Sequence, residues 1–387
     1  MALAKLDFKE VNNKIENAVE QEVQLIQELR TAVNQMQVRK LNQRPCRAIA
    51  PVATDGGENL LTFEPLNLEI IRVVDSNGTD LVQEVIPLSI DSVTFDSYVE
   101  RIPELKRMLC ELGDLRFDEL SYFVGKKSQS SSNNHDYFPD IRGQIRAFRD
   151  IVEWSVILDL ANRDWPSDVL LLRDGLLRTK ILKPEIFPKL DKAFQKTYDE
   201  QVVKGKHRVF LLGVAKTSSV LSKLSLAMLL EGTFSKDYPC YAEVPRDLEA
   251  KCYNFDGTWL DTSDDRKNGS TERYQSFGKL HLVKLSHARN APVLPVDIPV
   301  WLPPRERQMV LEYLSHDALD TFPVIGYPYA LQKAHEYAVL TGLEMSILGD
   351  MMINHLIRNM PNDASEKLVR HVNLGRGLLK GGARHGG

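Results

Sequence analysis

The chain is poor in cysteine. Its four cysteines, Cys46, Cys110, Cys240 and Cys252, form no close-spaced pair. This excludes a zinc ribbon and a disulfide framework and predicts reduced, structural thiols. No apolar run is long enough to cross a bilayer, and the N-terminus lacks a basic-then-apolar leader, so a cytoplasmic chain with no membrane segment is expected. Nor does one charge dominate. Lys and Arg number 49 against 53 Asp and Glu, a formal net charge of −4. Nucleic acid is therefore not attracted globally and has to be met by local basic patches. Arg178, Lys180 and Lys183 form one candidate, Lys204, Lys206, His207 and Arg208 a second, and the tail residues Arg370, Arg376, Lys380 and Arg384 a third. Each also reads as ordinary solvated surface. What is present is enough for a large core: 43% of the 387 residues are hydrophobic and 26% charged, typical of a globular protein.

Glycine and proline are missing from residue 6 to residue 36, which predicts one long helix. Phe8, Val11, Ile15, Ala18, Leu25, Leu29, Ala32 and Met36 follow a heptad that Glu22 interrupts. The stripe serves packing on the chain's own domain or against a partner copy, with a dimer contact favoured. A strand is expected from Arg47 to Asp55, closing on Asp55-Gly56-Gly57; Pro51 cannot donate to a ladder and argues for an edge or a bulge. Strands at Leu68–Val74 and Leu81–Leu88 flank Asp75-Ser76-Asn77-Gly78, a hairpin signal. Helical material from Ser97 to Leu112 is followed by a polar loop, Gly125–Asn134. A helix is then expected from Ile141 to Ala161, with Ile145, Phe148, Ile151, Val152, Ser155 and Leu158 inward and Glu153 on it.

The run Val169-Leu170-Leu171-Leu172-Arg173-Asp174-Gly175 reads as a strand buried on both faces. Such a strand delivers Asp174 to the carboxyl edge of its sheet, where open α/β folds bind ligands; a plain Asp-Gly turn is the competing reading. After a helix at Glu185–Lys204 comes a second buried strand, Arg208–Val214. It runs into Lys216-Thr217-Ser218 and a helix at Ser219–Leu230, where the hydroxyls serve an anion or cap the helix. The segment Asp264–Gly269 reads as a loop. Strands are expected at Leu280–Leu285 and Val296–Trp301, the second confined to an edge by Pro299, and Pro303 opens a helix. Pro328 suits a first helical turn, with Tyr327 at the helix start and Leu331, Ala334, His335 and Ala338 on one inward face.

The order of elements predicts an α/β fold: a ribonuclease H-like mixed sheet flanked by helices, with a long N-terminal helix and a helical C-terminal part. Two or three carboxylates meeting at one sheet edge repel each other unless a divalent cation neutralises them, and oxygen ligands favour Mg²⁺ or Mn²⁺ over zinc. A pair of such ions activates water and stabilises the leaving oxygen of a phosphodiester, which points to a nuclease.

Four blocks taken together, Asp55-Gly56, Leu172-Arg173-Asp174-Gly175-Leu176-Leu177, Gly213-Val214-Ala215-Lys216-Thr217-Ser218 and Gly326-Tyr327-Pro328-Tyr329-Ala330-Leu331 with His335, resemble the NurA nuclease family. The resemblance runs from about residue 47 to 345. It implies a Mn²⁺-dependent nuclease, with Mg²⁺ as the alternative ion. Such an enzyme cuts DNA 5′ to 3′ from ends and within single strands, and works as a homodimer docked on a HerA-type hexameric ATPase in DNA end processing. The implied organisation is an N-terminal helix (1–44), a ribonuclease H-like nuclease domain (45–360) and a flexible tail (361–387). Asp55 and Asp174 match the family's metal-binding aspartates, Glu153 its helix glutamate with Asp159 as the alternative, and His335 its histidine, for metal or proton transfer. Tyr327 and Lys216 correspond to substrate contacts, with Arg178 a further one. Eight residues at ~1.5 Å each would put Tyr327 and His335 roughly 12 Å apart on an ideal helix, in different parts of the site. One departure is that Gly57 and Leu176 stand where the family usually has a small hydroxyl residue. A different class of function, a catalytically weak DNA-binding or scaffold subunit of a HerA-type motor, in repair or phage defence, has no need of the intact acids Asp55, Asp174 and Glu153.

Overall fold

Residues Phe8–Asn34 form helix α1, followed by the two-residue strand β1 (Arg39–Lys40). Only the second half of α1 packs. Leu29, Val33 and Met36 are buried, in one cluster with Val220, Leu224 and Met228, and Arg30 pairs with Glu231 at 2.5 Å. In the first half Phe8, Ile15, Val19 and Val23 are exposed. The structure is a computed structural model describing residues 8–42, 49–63, 66–88, 95–121, 141–179, 185–255, 275–319 and 321–361, with isolated positions besides. The segments Gly125–Asn134 and Asp264–Gly269, Lys180 and the basic tail lie outside the described residues.

Next comes an antiparallel meander of β2 (Ile49–Phe63), β3 (Leu66–Asp75) and β4 (Asp80–Pro87). Its second turn is the expected one, with Gly78 at φ +81°, a conformation glycine reaches without a Cβ penalty. The short helices α2 (Asp96–Val99), α3 (Pro103–Glu111) and α4 (Phe117–Leu120) precede α5 (Ile141–Asn162). Pro103, at the first turn of α3, divides the helical material expected from Ser97 to Leu112 into α2 and α3. Then follow β5 (Asp168–Asp174), β6 (Arg178–Thr179), α6 (Phe187–Val203), β7 (Val209–Val214) and α7 (Ser219–Glu231). At the start of α7 the Ser218 hydroxyl accepts from the Leu221 amide, so it caps the helix. The chain continues through β8 (Cys240–Glu243), α8 (Arg246–Phe255), β9 (Gln275–Ser276), β10 (Gly278–Lys284) and β11 (Val293–Pro299). It ends, as described, in α9 (Pro304–Asp317), α10 (Tyr329–Ala338) and α11 (Gly342–Asn359).

The main sheet has nine strands in the order β1-β8-β10-β11-β7-β5-β2-β3-β4. Within it, β2, β5 and β7 run parallel, and β3 and β4 fold back antiparallel beside β2. That set, with α5 and α6 as crossovers, is the ribonuclease H-like mixed sheet expected from the sequence. One face of β5 and β2 packs Val169, Leu171 and Val52 against α5 residues such as Phe148, Val152 and Trp154. The other face packs Leu170, Leu172 and Ala53 with Leu311, Leu331 and Ala334 of α9 and α10. Alternation along each strand therefore assigns every residue near the site to one layer or the other.

Two strand expectations are corrected. The first strand does not close on Asp55-Gly56-Gly57 but continues to Phe63, because β3 takes over as its partner: β2 pairs with β5 from Ile49 to Thr54 and with β3 from Thr54 to Phe63. Pro51 sits before the β3 ladder begins, so β2 lies inside the sheet order yet has a free side where the proline stands. Likewise β11 is not an edge strand. It lies between β10 and β7, but β7 meets it only at Val296 and Asp297, and Pro299 is its last residue, paired with Gly278 alone.

Candidate metal centre at the carboxyl edge of the sheet

Thr54 and Arg173 are partners in the parallel β2–β5 ladder, so Asp55 and Asp174, one residue further on each strand, emerge side by side. They share the face that carries Ala53 and Leu172, the layer of α9 and α10. The chain turns sharply after Asp174. Gly175 has φ +122°, and its amide donates to the Val214 carbonyl at 2.7 Å. Gly213 on β7 makes room for this turn, since a Cβ there would lie 2.6–2.8 Å from the backbone of Gly175, Leu176 and Leu177.

Helix α10 lies across β2 on the same face. A Cβ on Gly57 would come 2.3 Å from the Ala338 carbonyl oxygen. The glycine therefore lets the helix backbone rest directly on the strand. Arg72 of β3 fastens the end of the helix by donating to the Tyr337 carbonyl at 2.8 Å. One turn earlier, His335 Nδ1 lies 2.8 Å from Asp55 Oδ2. Asp55, Asp174 and His335 each offer a ligand atom, and the three atoms fall within 4.8 Å of one another. His335 is not on the inward face assigned to it from helical spacing; its side chain is 54% exposed. The reason is that α10 overhangs the sheet edge, leaving Leu331, Ala334 and Ala338 inward and His335 over the acids.

The electrostatics fit a cation. Burial and the neighbouring Asp55 carboxylate push the Asp174 pKa up, while Lys216 and His335 oppose the shift less strongly. Lys216 Nζ stands 3.8 Å from Asp174 Oδ2 and 5.5 Å above the Tyr327 ring. The Tyr327 hydroxyl is buried beside Asp174, and burial, with the Asp174 and Asp55 carboxylates next to it, raises its pKa. Tyr327 and His335 thus line one cleft. Tyr327 precedes the helix, so the straight-helix spacing does not apply. Two carboxylates and one imidazole, with a buried hydroxyl beside them, are a donor set suited to a divalent cation such as Mn²⁺ or Mg²⁺.

Glu153 approaches from the other layer. Its Oε1 lies 2.1 Å from where a Gly56 Cβ would be, between Arg149 at 3.3 Å and Arg173 at 3.6 Å. Burial pushes its pKa up to about 8, against the pull of Arg173. Its carboxylate is outside the group of three. Asp159 is held by Arg107 at 2.7 Å and Arg163 at 3.0 Å. The substrate contact expected of Arg178 does not match its position. Its side chain is only 6% exposed and bound to Asp297 and Glu249, both buried; sequence proximity to Asp174 gave no hint of partners so far along the chain. The site also uses residues that the sequence reading passed over. Arg173 bridges Asp150 and Glu153 and stacks on Trp154 at 4.6 Å. Alternation was the available signal, since it places Arg173 opposite Asp174.

The model of the NurA domain matches residues 52–340 of this sequence. The chain belongs to the NurA family. No curated protein matches it in sequence. Among solved structures it is similar to the NurA nuclease from Sulfolobus solfataricus, with 13% identity over 92% of this chain and 100% of that one and a TM-score of 0.39. A NurA bound to dAMP and manganese aligns over 93% and 99%, at 11% identity and TM-score 0.42. An endonuclease V from Ciona intestinalis in complex with DNA aligns over 86% and 98%, at 11% identity and TM-score 0.25. As in the rest of the family match, Asp55, Asp174, Tyr327 and His335 all fall within the NurA domain. Among the described residues no helix is long and apolar enough to cross a membrane.

Proposed function

We propose that this NurA-family chain is a divalent-metal-dependent deoxyribonuclease in which Asp55, Asp174 and His335 hold the ion. The observation that carries the reading is the convergence of those three side chains, from β2, β5 and α10, within 4.8 Å. Mn²⁺ is the ion proposed, with Mg²⁺ the alternative. When bound, it would polarise a phosphodiester oxygen and lower the pKa of a coordinated water. The protein's own groups divide the remaining work. Lys216, half exposed beside Asp174, meets the charge of the scissile phosphate. The Tyr327 hydroxyl, a buried donor, orients an oxygen at Asp174. Glu153 holds β2 from behind through the space that Gly56 leaves.

The substrate is DNA, cut within single strands and 5′ to 3′ from ends, as a homodimer with a HerA-type hexameric ATPase. Family membership supports that reading, and the exposed apolar first half of α1 is the surface proposed for the dimer or partner contact. The test is cleavage of end-labelled single- and double-stranded DNA with Mn²⁺, Mg²⁺ or chelator, by the wild type and by Asp55→Ala and Asp174→Ala. Metal-dependent cleavage lost in both variants is the expected result. Undiminished cleavage by either variant would overturn the assignment.

A further inference from the structure

Beside the acids, the cleft widens to a cavity of about 580 Å³, and its wall carries exposed aromatic rings. Phe322 is 84% exposed and Tyr329 48% exposed, both lining the cavity with Lys216, Lys333 and His335. Lys333 Nζ, paired with Glu336 at 2.8 Å, lies 5.8 Å from the Tyr329 ring and 5.6 Å from the Tyr337 ring, so an ammonium group borders two aromatic faces. The loop that displays Phe322 is braced. Gln332 Nε2 donates to the carbonyls of Val324 at 3.0 Å and Tyr327 at 2.9 Å, while its Oε1 accepts from the Val324 amide. An aromatic ring kept in water by a braced loop loses the free energy of burying it, a cost offset when a planar ligand covers the ring.

Building on the nuclease reading, we infer that this wall is a base-stacking subsite for an unpaired nucleotide next to the scissile phosphate. Phe322 and Tyr329 are its platform, Lys333 and Lys216 meet the flanking phosphates, and Gln332 is a positioning residue. Aromatic faces interleaved with lysines accept a base of any identity but only when it is out of a duplex stack. The subsite therefore selects strands that are single or already unwound, and it gives the site a preference by strand state, not by sequence.

The test is fluorescence anisotropy of a labelled thymidine oligonucleotide and of a duplex of equal length, with wild type, Phe322→Ala and Phe322→Ala/Tyr329→Ala, in chelator so that no cleavage is required. A parallel cleavage assay uses single strands carrying one abasic residue, moved stepwise along the strand. Phe322 is too exposed for its truncation to threaten the fold. Phe322→Ala is expected to weaken single-strand binding about tenfold and the double variant more, with duplex binding unchanged. In the cleavage assay an abasic residue at one position should cost the wild type as much as Phe322→Ala does and cost the variant nothing further. Wild-type oligonucleotide affinity in the double variant overturns the inference and leaves the wall to a protein partner. Losses that add at every abasic position overturn it as well. A protein that binds the oligonucleotide through Phe322 yet cuts nothing with any metal keeps the subsite and refutes the nuclease reading instead.

Discussion

Replacing Gly57 by alanine tests whether the seat of α10 on β2 sets the metal site. The new Cβ would stand 2.3 Å from the Ala338 carbonyl oxygen. That atom belongs to backbone tied in turn to the meander through Arg72 and the neighbouring Tyr337 carbonyl, so no side chain can swing aside. Relief to an ordinary contact of about 3.4 Å requires α10 to lift by roughly 1 Å. His335, three residues earlier on the same helix, lifts with it, away from Asp55. A misplacement of ~1 Å costs on the order of 10²-fold in rate, and overpacking of this kind costs ~1–3 kcal/mol of stability. Gly57→Ala is therefore expected to remain folded, with a lowered melting temperature, about 100-fold weaker Mn²⁺-dependent cleavage and weaker Mn²⁺ binding by calorimetry. Gly349→Ala in α11 is the control. A Cβ there meets nothing within 4 Å, and the exchange should stabilise the helix by ~0.5–1 kcal/mol without touching activity. Wild-type metal affinity and cleavage in Gly57→Ala would refute the idea that this contact positions His335.

Three further outcomes follow from charge. Asp174→Asn removes one of two mutually repelling, half-buried acids, so it should raise the melting temperature of the metal-free protein and abolish the stabilisation that added Mn²⁺ produces; thermal melts with and without Mn²⁺ check both. Glu153 has a folded pKa of about 8 against 4.5 in the open chain. Its contribution to stability in the metal-free protein is present at acid pH and lost as pH rises from about 4.5 through 8, and a denaturant series should show that loss removed in Glu153→Gln. His281 runs the other way. Burial lowers its pKa to about 4 from 6.5, so the folded state binds fewer protons and stability falls as pH drops from 6.5 to 4, by on the order of 3 kcal/mol; a His281→Gln protein whose stability is just as acid-sensitive in that window would contradict this.

The fold was legible where burial imposes a period. The continuous apolar runs of β5 and β7, the inward stripe of α5 and the Asn-Gly turn between β3 and β4 all stand where pattern alone put them, and so did the meeting of the two strand-borne acids. Glycine was the ambiguous letter. Asp55-Gly56-Gly57 has the composition of a turn, yet the two glycines serve close approach: Gly56 admits Glu153 on one face of β2 and Gly57 admits α10 on the other. Such a use depends on what crosses the strand, which no local window contains. His335 was misplaced for a related reason, since a helical wheel assumes that the inward face looks at core, whereas α10 ends over a sheet edge. The Arg178 network with Asp297 and Glu249 joins elements far apart in the chain and was equally invisible.

The change of partner along β2 has a consequence for the order in which the protein can become active. From Thr54 onward the strand belongs to a meander of neighbouring segments, whose local contacts form early. Up to Thr54 it belongs to a parallel ladder that brings Ile49 to Asp168, across the whole meander and α5, and long-range parallel pairing is slow. Asp55 stands at that junction, and His335 arrives from later still in the chain. A partly folded or partly synthesised molecule can hold a complete hairpin, even most of a sheet, and still lack the Asp55–Asp174–His335 cluster. Assembly of the Asp55–Asp174–His335 cluster is thereby a late event of folding, withheld until the protein is whole.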